Sequence, residues 1–291
     1  MKIAFVILHY NAIEETNKCI QYIKDNIDTE DYGIVVVDNA SPDGSGKLLM
    51  KSYEDDEKIK IVINNKNIGF ARGNNVGFRV AKQEYCPKYI AMLNNDVFLL
   101  ERELLRKLEN EYKKSKFYVA GPMILTGDGR CDVNPDQAVI KNIKDIDNLL
   151  KKNKKIYKRY KFHYAGVYYK LTRIYDIILG LSNKKKNKNY LDRQEDVKLH
   201  GCCLFFSERY IKEYGGLDES TFLYWEEEFL YKHMMDDKKK MVYNPNIIVY
   251  HQEDASTDSV IVNNRKKQMF IYRYYIQSLE ALKKLYMELP V

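Results

Sequence analysis

The chain has 291 residues, a hydrophobic fraction of 45% and a formal net charge of +7. This length and apolar content predict a globular protein and exclude a disordered one. No stretch approaches the roughly 20 apolar residues of a membrane span, and the apolar run at 3–8 lacks a signal-peptide cleavage site, so we expect a cytoplasmic protein. The five cysteines include no C-x-x-C pair, which argues against a zinc site or a disulfide framework.

Strand–loop–helix units fill the first half of the chain. Apolar runs that predict buried strands lie at Lys2–His9, Gly33–Val37, Ile59–Ile63 and Tyr89–Asp96. Repetition of such units predicts an α/β fold, Rossmann-like, with a mostly parallel central sheet flanked by helices. The strands end in Asn, Asp or Gly, so we expect polar loops along one sheet edge, where α/β proteins bind ligands.

The loops after these strands lack the motifs of two common nucleotide sites. A dinucleotide-binding fold carries G-x-G-x-x-G after its first strand, where this chain has His9-Tyr10-Asn11-Ala12. A P-loop is also excluded, because Gly44-Ser45-Gly46-Lys47 lacks the required spacing. Asp38 ends the second strand, where its carboxylate either accepts a hydrogen bond from a ligand or caps the local turn.

A basic segment occupies residues 134–196. Within it, Lys141–Tyr190 contains fifteen Lys or Arg and three Asp or Glu, interleaved with apolar residues such as those at 174–181. Two interpretations are open: a basic amphipathic segment attracted to an anionic membrane surface, or a solvated helical hairpin that covers the sheet. No recognised RNA- or DNA-binding motif accompanies the charge, so a nucleic-acid partner is not predicted.

The last third of the chain predicts a second group of elements. They are a strand at His200–Phe206, a helix at Glu226–Asp236, a strand at Met241–Tyr250 interrupted by Pro245, and an amphipathic helix at Val262–Tyr286. The helix at 226–236 begins with three consecutive glutamates. Negative charge at a helix start is favourable in itself, but these carboxylates are also the clearest candidates for acid–base chemistry.

Five short stretches occur in a fixed order along the chain. They are Leu8–Asn11, Val36–Ser41, Asn67–Asn75, Leu93–Asp96, and Gly215–Glu219 continued by Tyr224–Glu227. Together they resemble the family 2 glycosyltransferases with the GT-A fold, in particular a rhamnosyltransferase-like bacterial branch. The resemblance covers most of the chain outside the basic segment. It implies a nucleotide-sugar donor, held at the strand ends.

The resemblance also implies which residues hold the donor. The implied donor-binding residues are Tyr10, Asn11, Asp38, Asn39, Ser41, Gly69, Arg72, Gly73, Asn74, Asn94, Asn95 and Trp225. Asp96 corresponds to the family's metal-binding D-x-D-type motif, and His251 to a histidine that is a further metal ligand in some relatives. Mg²⁺ and Mn²⁺ take few protein ligands beside phosphate and water, so one carboxylate can suffice. Arg72 either pairs with phosphate or lies on the surface, and Trp225 either stacks on a sugar or packs in the core.

The general base of an inverting transfer is expected in the acidic cluster. The family pattern is Glu-Asp with the second residue as base, which aligns with Glu227. Helical geometry at 100° per residue instead places Glu226 on the arc shared with apolar neighbours. We favour Glu227, with Glu226 as the alternative. The family position that often carries Asp is Phe229 in this chain.

These observations predict a domain division and a function. We expect a GT-A catalytic domain at 1–258, with a donor half at 1–125, a basic helical insertion at 134–196 and an acceptor half at 199–258, followed by a helical extension at 259–291. The expected reaction moves a sugar from a UDP- or dTDP-sugar to a hydroxyl of a growing surface polysaccharide or lipid-linked glycan, with Mn²⁺ or Mg²⁺. The alternatives are a non-catalytic nucleotide- or glycan-binding protein on the same fold and a sugar nucleotidyltransferase.

Overall fold

The computed structural model describes residues 1–136, 138–162, 189–252 and 264–288. The strands are β1 (Ile3–His9), β2 (Tyr32–Asp38), β3 (Ile59–Ile63), β4 (Tyr89–Asn94), β5 (Val97–Leu99), β6 (Val119–Thr126), β7 (Gln194–Glu195), β8 (Cys203–Ser207) and β9 (Met241–His251). The helices are α1 (Ile13–Asn26), α2 (Ser45–Ser52), α3 (Phe70–Tyr85), α4 (Leu104–Ser115), α5 (Ile143–Lys161), α6 (Glu208–Glu213), α7 (Glu226–Asp236) and α8 (Asn264–Glu288).

The strands form one mixed sheet in the order β3-β2-β1-β4-β8-β6-β9-β5, and β7 pairs with β9. β1 to β4 run parallel, whereas β8 is antiparallel to both β4 and β6. This confirms the predicted α/β class with a mostly parallel sheet. The carboxyl ends of β1, β2 and β4 lie side by side, because His9 is in register with Asp38 and Leu8 with Asn94.

Alternate residues of the strands supply the two faces of the core. Ile3, Phe5 and Ile7 of β1 pack in the cluster that contains the buried face of α1. Ala4 and Val6 point to the opposite cluster, which contains the buried face of α3. Because both faces are covered, these strands read in the sequence as continuous apolar runs without alternation.

Two strand boundaries differ from the prediction in ways that matter for the site. The predicted strand at 89–96 ends at Asn94, and Asn95 and Asp96 form a turn into the short strand β5. In β9, the register against β6 moves from Asn244 directly to Ile248, so Pro245 lies in a bulge, where a residue without an amide N–H is tolerated. β5 pairs antiparallel with the end of β9, which brings the 95–96 turn next to His251.

α5 and α8 pack against each other on the side of α7. Ile146 and Leu150 of α5, Leu279 and Leu282 of α8 and Phe229 of α7 form one apolar cluster. The predicted basic insertion therefore begins with a helix whose apolar face is buried inside the protein. Its predicted continuation at 174–181 lies outside the described residues. The division into domains stays a prediction.

A hydrogen-bonded clamp fixes the loop between β3 and α3. The Asn39 amide donates to Asn67 Oδ1 (3.0 Å) and the Gly69 carbonyl (3.2 Å), and its oxygen accepts from Asn64 and from the Ile68 N–H (3.1 Å each). The loop in turn meets the chain before α7, because the Phe70 N–H donates to the Phe222 carbonyl at 2.7 Å. The strand ends and the start of α7 are thereby connected.

Gly69 allows this close approach. It has φ +89°, and a Cβ atom at this position would lie 2.3 Å from the Phe222 carbonyl oxygen. Gly44 has a similar φ of +80° but open space around the Cβ position. Both glycines are therefore conformationally required, and only Gly69 is also sterically required.

We expect Gly69→Ala to reduce the free energy of unfolding by about 2–4 kcal/mol and Gly44→Ala by only about 1 kcal/mol. Both substitutions place alanine at positive φ, but only the first forces a backbone atom to move. Urea denaturation of the two variants and the wild type measures the difference. Equal destabilisation would contradict a tight contact at Gly69.

Candidate active site

A cavity of about 810 Å³ opens at the carboxyl ends of β1 and β4. Its floor includes Tyr10, Asn94 and Asn95 at these strand ends, and its far side includes residues of α7 and α8. Ligand sites of α/β proteins lie at this edge of the sheet. A volume of this size suits a ligand larger than a single sugar.

The structure divides the residues predicted from the sequence into two groups. Those that line the cavity are Tyr10, Asn39, Gly69, Asn94, Asn95, Trp225, Glu226, Glu227 and His251. Those that do not are Asn11, Asp38, Ser41, Arg72, Gly73, Asn74 and Asp96. In this conformation the members of the second group do not line the cavity, and their roles in ligand binding stay predictions.

Asp38, Ser41 and Asn11 form a hydrogen-bonded turn beneath the cavity. The Asp38 carboxylate accepts from the Ser41 N–H at 3.0 Å and from its hydroxyl, and Ser41 Oγ accepts from the Asn11 N–H at 2.9 Å. Asp38 is 3% exposed. It performs the turn-capping role that the sequence left open, and its contact with a ligand stays a prediction.

The residues at the start of α3 are taken up largely by internal contacts. Asn74 is buried and donates to the Phe70 carbonyl, and Gly73 lies where a Cβ would meet Leu8 at 2.6 Å. Arg72 is half exposed, with its guanidinium 4.0 Å from Glu219. In this conformation Arg72 occupies the surface position, which was one of its two predicted alternatives.

Two of the cavity-lining amides also hold the protein together. Asn95 donates to the Ala12 carbonyl and to Thr16 Oγ1, so it fixes the start of α1 against the turn after β4. The Asn39 amide uses both N–H groups and both acceptor positions in the clamp around Gly69. We infer that Asn39 positions the loop and has no spare hydrogen bond for a ligand.

Asp96 and His251 form a close pair beside the cavity. His251 Nε2 lies 3.3 Å from Asp96 Oδ1, and the two side chains are 10% and 7% exposed. The second ring nitrogen of His251, Nδ1, is buried and has no hydrogen-bond partner among the described residues. A carboxylate and an imidazole together fit Mn²⁺, with the remaining ligands taken from phosphate and water. The described residues contain no group of three or more His, Cys, Asp or Glu side chains arranged to hold a metal by themselves.

The three consecutive glutamates at the start of α7 occupy three environments. Glu226 is 7% exposed and accepts a hydrogen bond from Thr221 Oγ1 at 2.9 Å. Burial, reinforced by the charge of Glu227, raises the pKa of Glu226 to about 8. Glu226 is therefore mainly protonated at neutral pH, as its predicted place on the apolar arc of the helix implies.

Glu227 is half-buried and faces the cavity. None of the side chains in the described ranges donates a hydrogen bond to its carboxylate, and burial raises its pKa above the usual range.

Glu228 instead points to a buried Lys198, which also contacts Asp136 at 2.9 Å and the Ala138 carbonyl. Burial opposes the charge on Lys198, but the two carboxylates outweigh it and raise the lysine pKa.

The sequence did not reveal several residues that line the cavity. His200 and Lys198 come from the segment before β8, and the Phe270, Tyr274 and Tyr275 rings come from α8. The His200 ring lies 6.0 Å from that of His251, and burial lowers its pKa to about 4, so it is neutral. Aromatic residues recur throughout α8, so the helical period gave no sign that this group faces a cavity.

The chain before α7 has a strained backbone. Tyr224 and Trp225 have φ values of +70° and +73°, which for aromatic residues costs on the order of 1–3 kcal/mol each. Trp225 Nε1 is also buried without a partner in the described part of the chain. Strain that the surrounding structure maintains is concentrated at functional sites, which makes this turn part of the candidate site.

We expect Glu226→Gln to change how stability depends on pH. Because the folded-state pKa is raised from 4.5 to about 8, the stabilising contribution of Glu226 is complete below pH 4.5 and is lost as the pH rises through 8. Glutamine mimics the protonated carboxyl. From pH 5 to pH 9, the free energy of unfolding of the variant should therefore rise by on the order of 2–4 kcal/mol relative to that of wild type. Urea denaturation of both proteins at pH 5 and at pH 9 measures this difference.

Glu14→Gln is the matched control, since Glu14 also lies in the first turn of a helix, α1, but is exposed. Its stability difference from wild type should stay nearly constant over the same pH range. If Glu226→Gln behaves like Glu14→Gln, the carboxyl of Glu226 is not protonated in the folded protein.

Solved structures share this fold. The structure of residues 1–349 of Staphylococcus aureus TarS aligns with 100% of this chain and 76% of that chain, with a TM-score of 0.53 and 10% identity. The same TarS fragment in complex with UDP aligns equally, with a TM-score of 0.52. At this identity the similarity establishes the fold alone, and it confirms the GT-A architecture.

Sequence comparison gives the family. The "Low-salt glycan biosynthesis hexosyltransferase Agl10" of Haloferax volcanii is 24% identical over 235 residues, which are 79% of this chain and 61% of that protein. The "Teichoic acid poly(glycerol phosphate) polymerase" of Staphylococcus epidermidis is 28% identical over 85 residues, 29% of this chain and 12% of that protein. The chain thus spans about three fifths of the first relative and far less of the second. The profile described as "Glycosyl transferase family 2" matches residues 4–214, so the chain belongs to glycosyl transferase family 2.

Proposed function

We propose that the protein transfers a sugar from a UDP- or dTDP-sugar to a hydroxyl of a growing surface glycan or lipid-linked glycan, with inversion. The observation that carries this proposal is the Glu227 carboxylate, which faces a cavity at the sheet edge and accepts no hydrogen bond from a side chain in the described ranges. Membership of family 2 supports glycosyl transfer, and the names of the two sequence relatives concern glycan and teichoic acid synthesis. The rhamnosyltransferase-like branch stays a prediction.

Glu227 has the properties of the general base. The acceptor hydroxyl attacks the anomeric carbon, its proton passes to Glu227, and the bond to the diphosphate breaks as the new glycosidic bond forms. A carboxylate with a raised pKa takes up this proton more readily than an ordinary glutamate. Glu226, which burial and the nearby charge of Glu227 keep mainly protonated, is the less suitable base at neutral pH.

The leaving diphosphate carries charge that the cavity must compensate. Within residues 1–136, 138–162, 189–252 and 264–288, the only Lys or Arg side chain that lines the cavity is Lys198, and it is engaged by Glu228 and Asp136. We infer that Asp96 and His251 hold Mn²⁺ or Mg²⁺. When bound, the ion supplies Lewis-acid stabilisation of the leaving group.

We expect calorimetric titration to show UDP or dTDP binding that depends on Mn²⁺ or Mg²⁺. EDTA or Asp96→Ala should raise the dissociation constant at least tenfold, because the metal couples the carboxylate to the diphosphate. Asp25→Ala, at an exposed position of α1, is the matched control and should bind as wild type does. Nucleotide binding that is unaffected by EDTA would contradict the metal site.

We expect Glu227→Gln to reduce the rate of nucleotide release from the donor sugar about 100-fold or more, because proton removal is lost. Glu226→Gln should retain most of the rate. The acidic limb of the wild-type pH profile for kcat/KM should lie above the usual glutamate pKa of 4.5, because the pKa of Glu227 is raised. The opposite ranking of the two variants would assign the base to Glu226.

The same experiments test the non-catalytic alternative. A binding protein on this fold would take up UDP or dTDP without releasing nucleotide from any donor sugar, and Glu227→Gln would then have no rate to affect. The sugar nucleotidyltransferase alternative predicts instead that a nucleoside triphosphate and a sugar phosphate are consumed, which an assay of pyrophosphate release detects. The glycine-rich loop with a basic residue that such enzymes need is absent after β1.

We also propose that the basic face of α5 contacts an anionic membrane surface. No helix in the described ranges is long and apolar enough to span a bilayer. The apolar face of α5 is buried against α8, so only exposed lysines such as Lys151 and Lys152 are available for this contact. The contact would therefore be electrostatic and would weaken with salt.

We expect Lys151→Gln combined with Lys152→Gln to weaken cosedimentation with vesicles of phosphatidylglycerol and phosphatidylcholine about tenfold. The matched control is the pair Lys113→Gln and Lys114→Gln, which removes the same charge from exposed positions of α4. Equal effects of the two pairs would show that net charge, and not α5, governs vesicle binding.

A further inference from the structure

We propose that an aromatic corner formed by Trp225, Tyr224 and Tyr275 is the acceptor subsite, and that it binds the apolar C–H face of a pyranose ring. This inference rests on the proposed function and adds to it the chemical class of the acceptor residue. The acceptor would be a ring sugar of the glycan. A linear polyol or an unglycosylated lipid phosphate would not use this subsite.

The corner lies next to the candidate base. Trp225 immediately precedes α7 and accepts, through its carbonyl, a hydrogen bond from the Glu228 N–H at 3.0 Å. The pKa of Tyr275 is raised by burial and by the neighbouring carboxylate of Glu227. A general base must lie within hydrogen-bond reach of the hydroxyl that it deprotonates, so the group bound beside Glu227 is the acceptor.

The rings of the corner stand nearly perpendicular to one another. The Tyr224 and Tyr275 centroids are 4.8 Å apart at an interplanar angle of 87°, and those of Trp225 and Tyr275 are 5.9 Å apart at 74°. All three rings line the cavity and none is fully buried. Such a corner offers one ring face for stacking and a second ring as a side wall, which suits a flat, partly apolar ring.

Two neighbouring elements hold the corner in its strained conformation. Phe222, two residues before Tyr224, accepts through its carbonyl from Phe70 of α3, and the Leu223 carbonyl accepts from Ser278 of α8 at 2.9 Å. The turn at 224–225 is therefore fixed from both sides despite its positive φ values. A rigid pair of aromatic rings loses little freedom on binding, which favours recognition of a weakly bound sugar.

A nucleobase also stacks on aromatic rings, but its position in the donor argues against this corner. The base is separated from the anomeric carbon by a ribose and a diphosphate, whereas Glu227 must act within about 3 Å of the hydroxyl that attacks that carbon. The stacked pair Phe222 and Tyr274, with centroids 4.8 Å apart, lies next to Gly69 through the Phe222 backbone and is the more suitable place for the donor.

Trp225 is the only tryptophan, so its fluorescence reports on the corner directly. The full chain is titrated with methyl pyranosides of glucose, galactose, N-acetylglucosamine and rhamnose, with glycerol as the polyol control, each with and without UDP and Mn²⁺. We expect at least one pyranoside to give a saturable change in emission, and glycerol to give none. No change with any pyranoside, in either condition, overturns the proposal.

Variants separate the acceptor from the donor. Tyr275→Leu should raise the dissociation constant of the active pyranoside at least tenfold and leave that of UDP within twofold, and Tyr275→Phe, which keeps the ring, should raise it less. Tyr22→Leu is the control, since Tyr22 is 40% exposed and stacks on Phe98 away from the cavity. Circular dichroism confirms that each variant is folded.

The outcomes distinguish this inference from the proposed function. If Tyr275→Leu weakens UDP binding as much as pyranoside binding, the corner holds the donor and the inference is wrong. If Tyr275→Leu affects neither, the corner is not a ligand site. If wild type binds a pyranoside at Trp225 but binds neither UDP nor dTDP, the subsite stands and the glycosyl-transfer proposal fails.

Discussion

The carboxamide of Asn39 is the interaction on which the arrangement of the site depends. Its four hydrogen bonds join the end of β2 to the loop before α3. That loop contains Gly69, which meets the Phe222 backbone, and the segment from Phe222 leads directly into α7 and its glutamates. One buried side chain thus couples the floor of the cavity to its opposite side. An amide suits this role because it donates and accepts in equal number and stays uncharged at every physiological pH.

The three glutamates of α7 show how helix rotation creates different chemistry from identical residues. Successive side chains point about 100° apart, so Glu226 is buried beside Thr221 at the cavity wall, Glu227 is more exposed and faces the cavity, and Glu228 reaches a buried lysine. Burial alone would raise the pKa of all three. Their differences arise from the partners: a threonine hydroxyl for Glu226, no hydrogen-bonding side chain in the described ranges for Glu227, and an ammonium group for Glu228. A proton acceptor is most effective where burial raises its basicity and no partner competes for the carboxylate.

The sequence predicted most of the fold, because its apolar runs and their polar ends are set by local chemistry. Of the residues that it predicted for the site, Tyr10, Asn94, Glu226 and Glu227 line the cavity, and their roles stay predictions. It could not show that Asn39 and Asp38 are occupied by internal hydrogen bonds, since Asn and Asp at a strand end suit ligands and turns equally. Nor could it place Tyr275 in the cavity. That contact depends on how α8 packs on α5 and α7, which is a tertiary property and leaves no period in the local sequence.

The order of the elements along the chain separates the two sides of the cavity. The residues matched by the family profile end at 214, and the strand-end floor of the cavity lies within them, whereas the glutamates and the aromatic corner follow. The two stretches are nevertheless interlocked, because β9 pairs with β5, β6 and β7, α8 packs on α5, and Asn75 makes paired hydrogen bonds with the backbone of Leu217 (2.7 and 2.8 Å). A segment from 215 onward could therefore not be exchanged between relatives without the strands and the helix that it contacts. The floor of the cavity and its opposite side form as one unit.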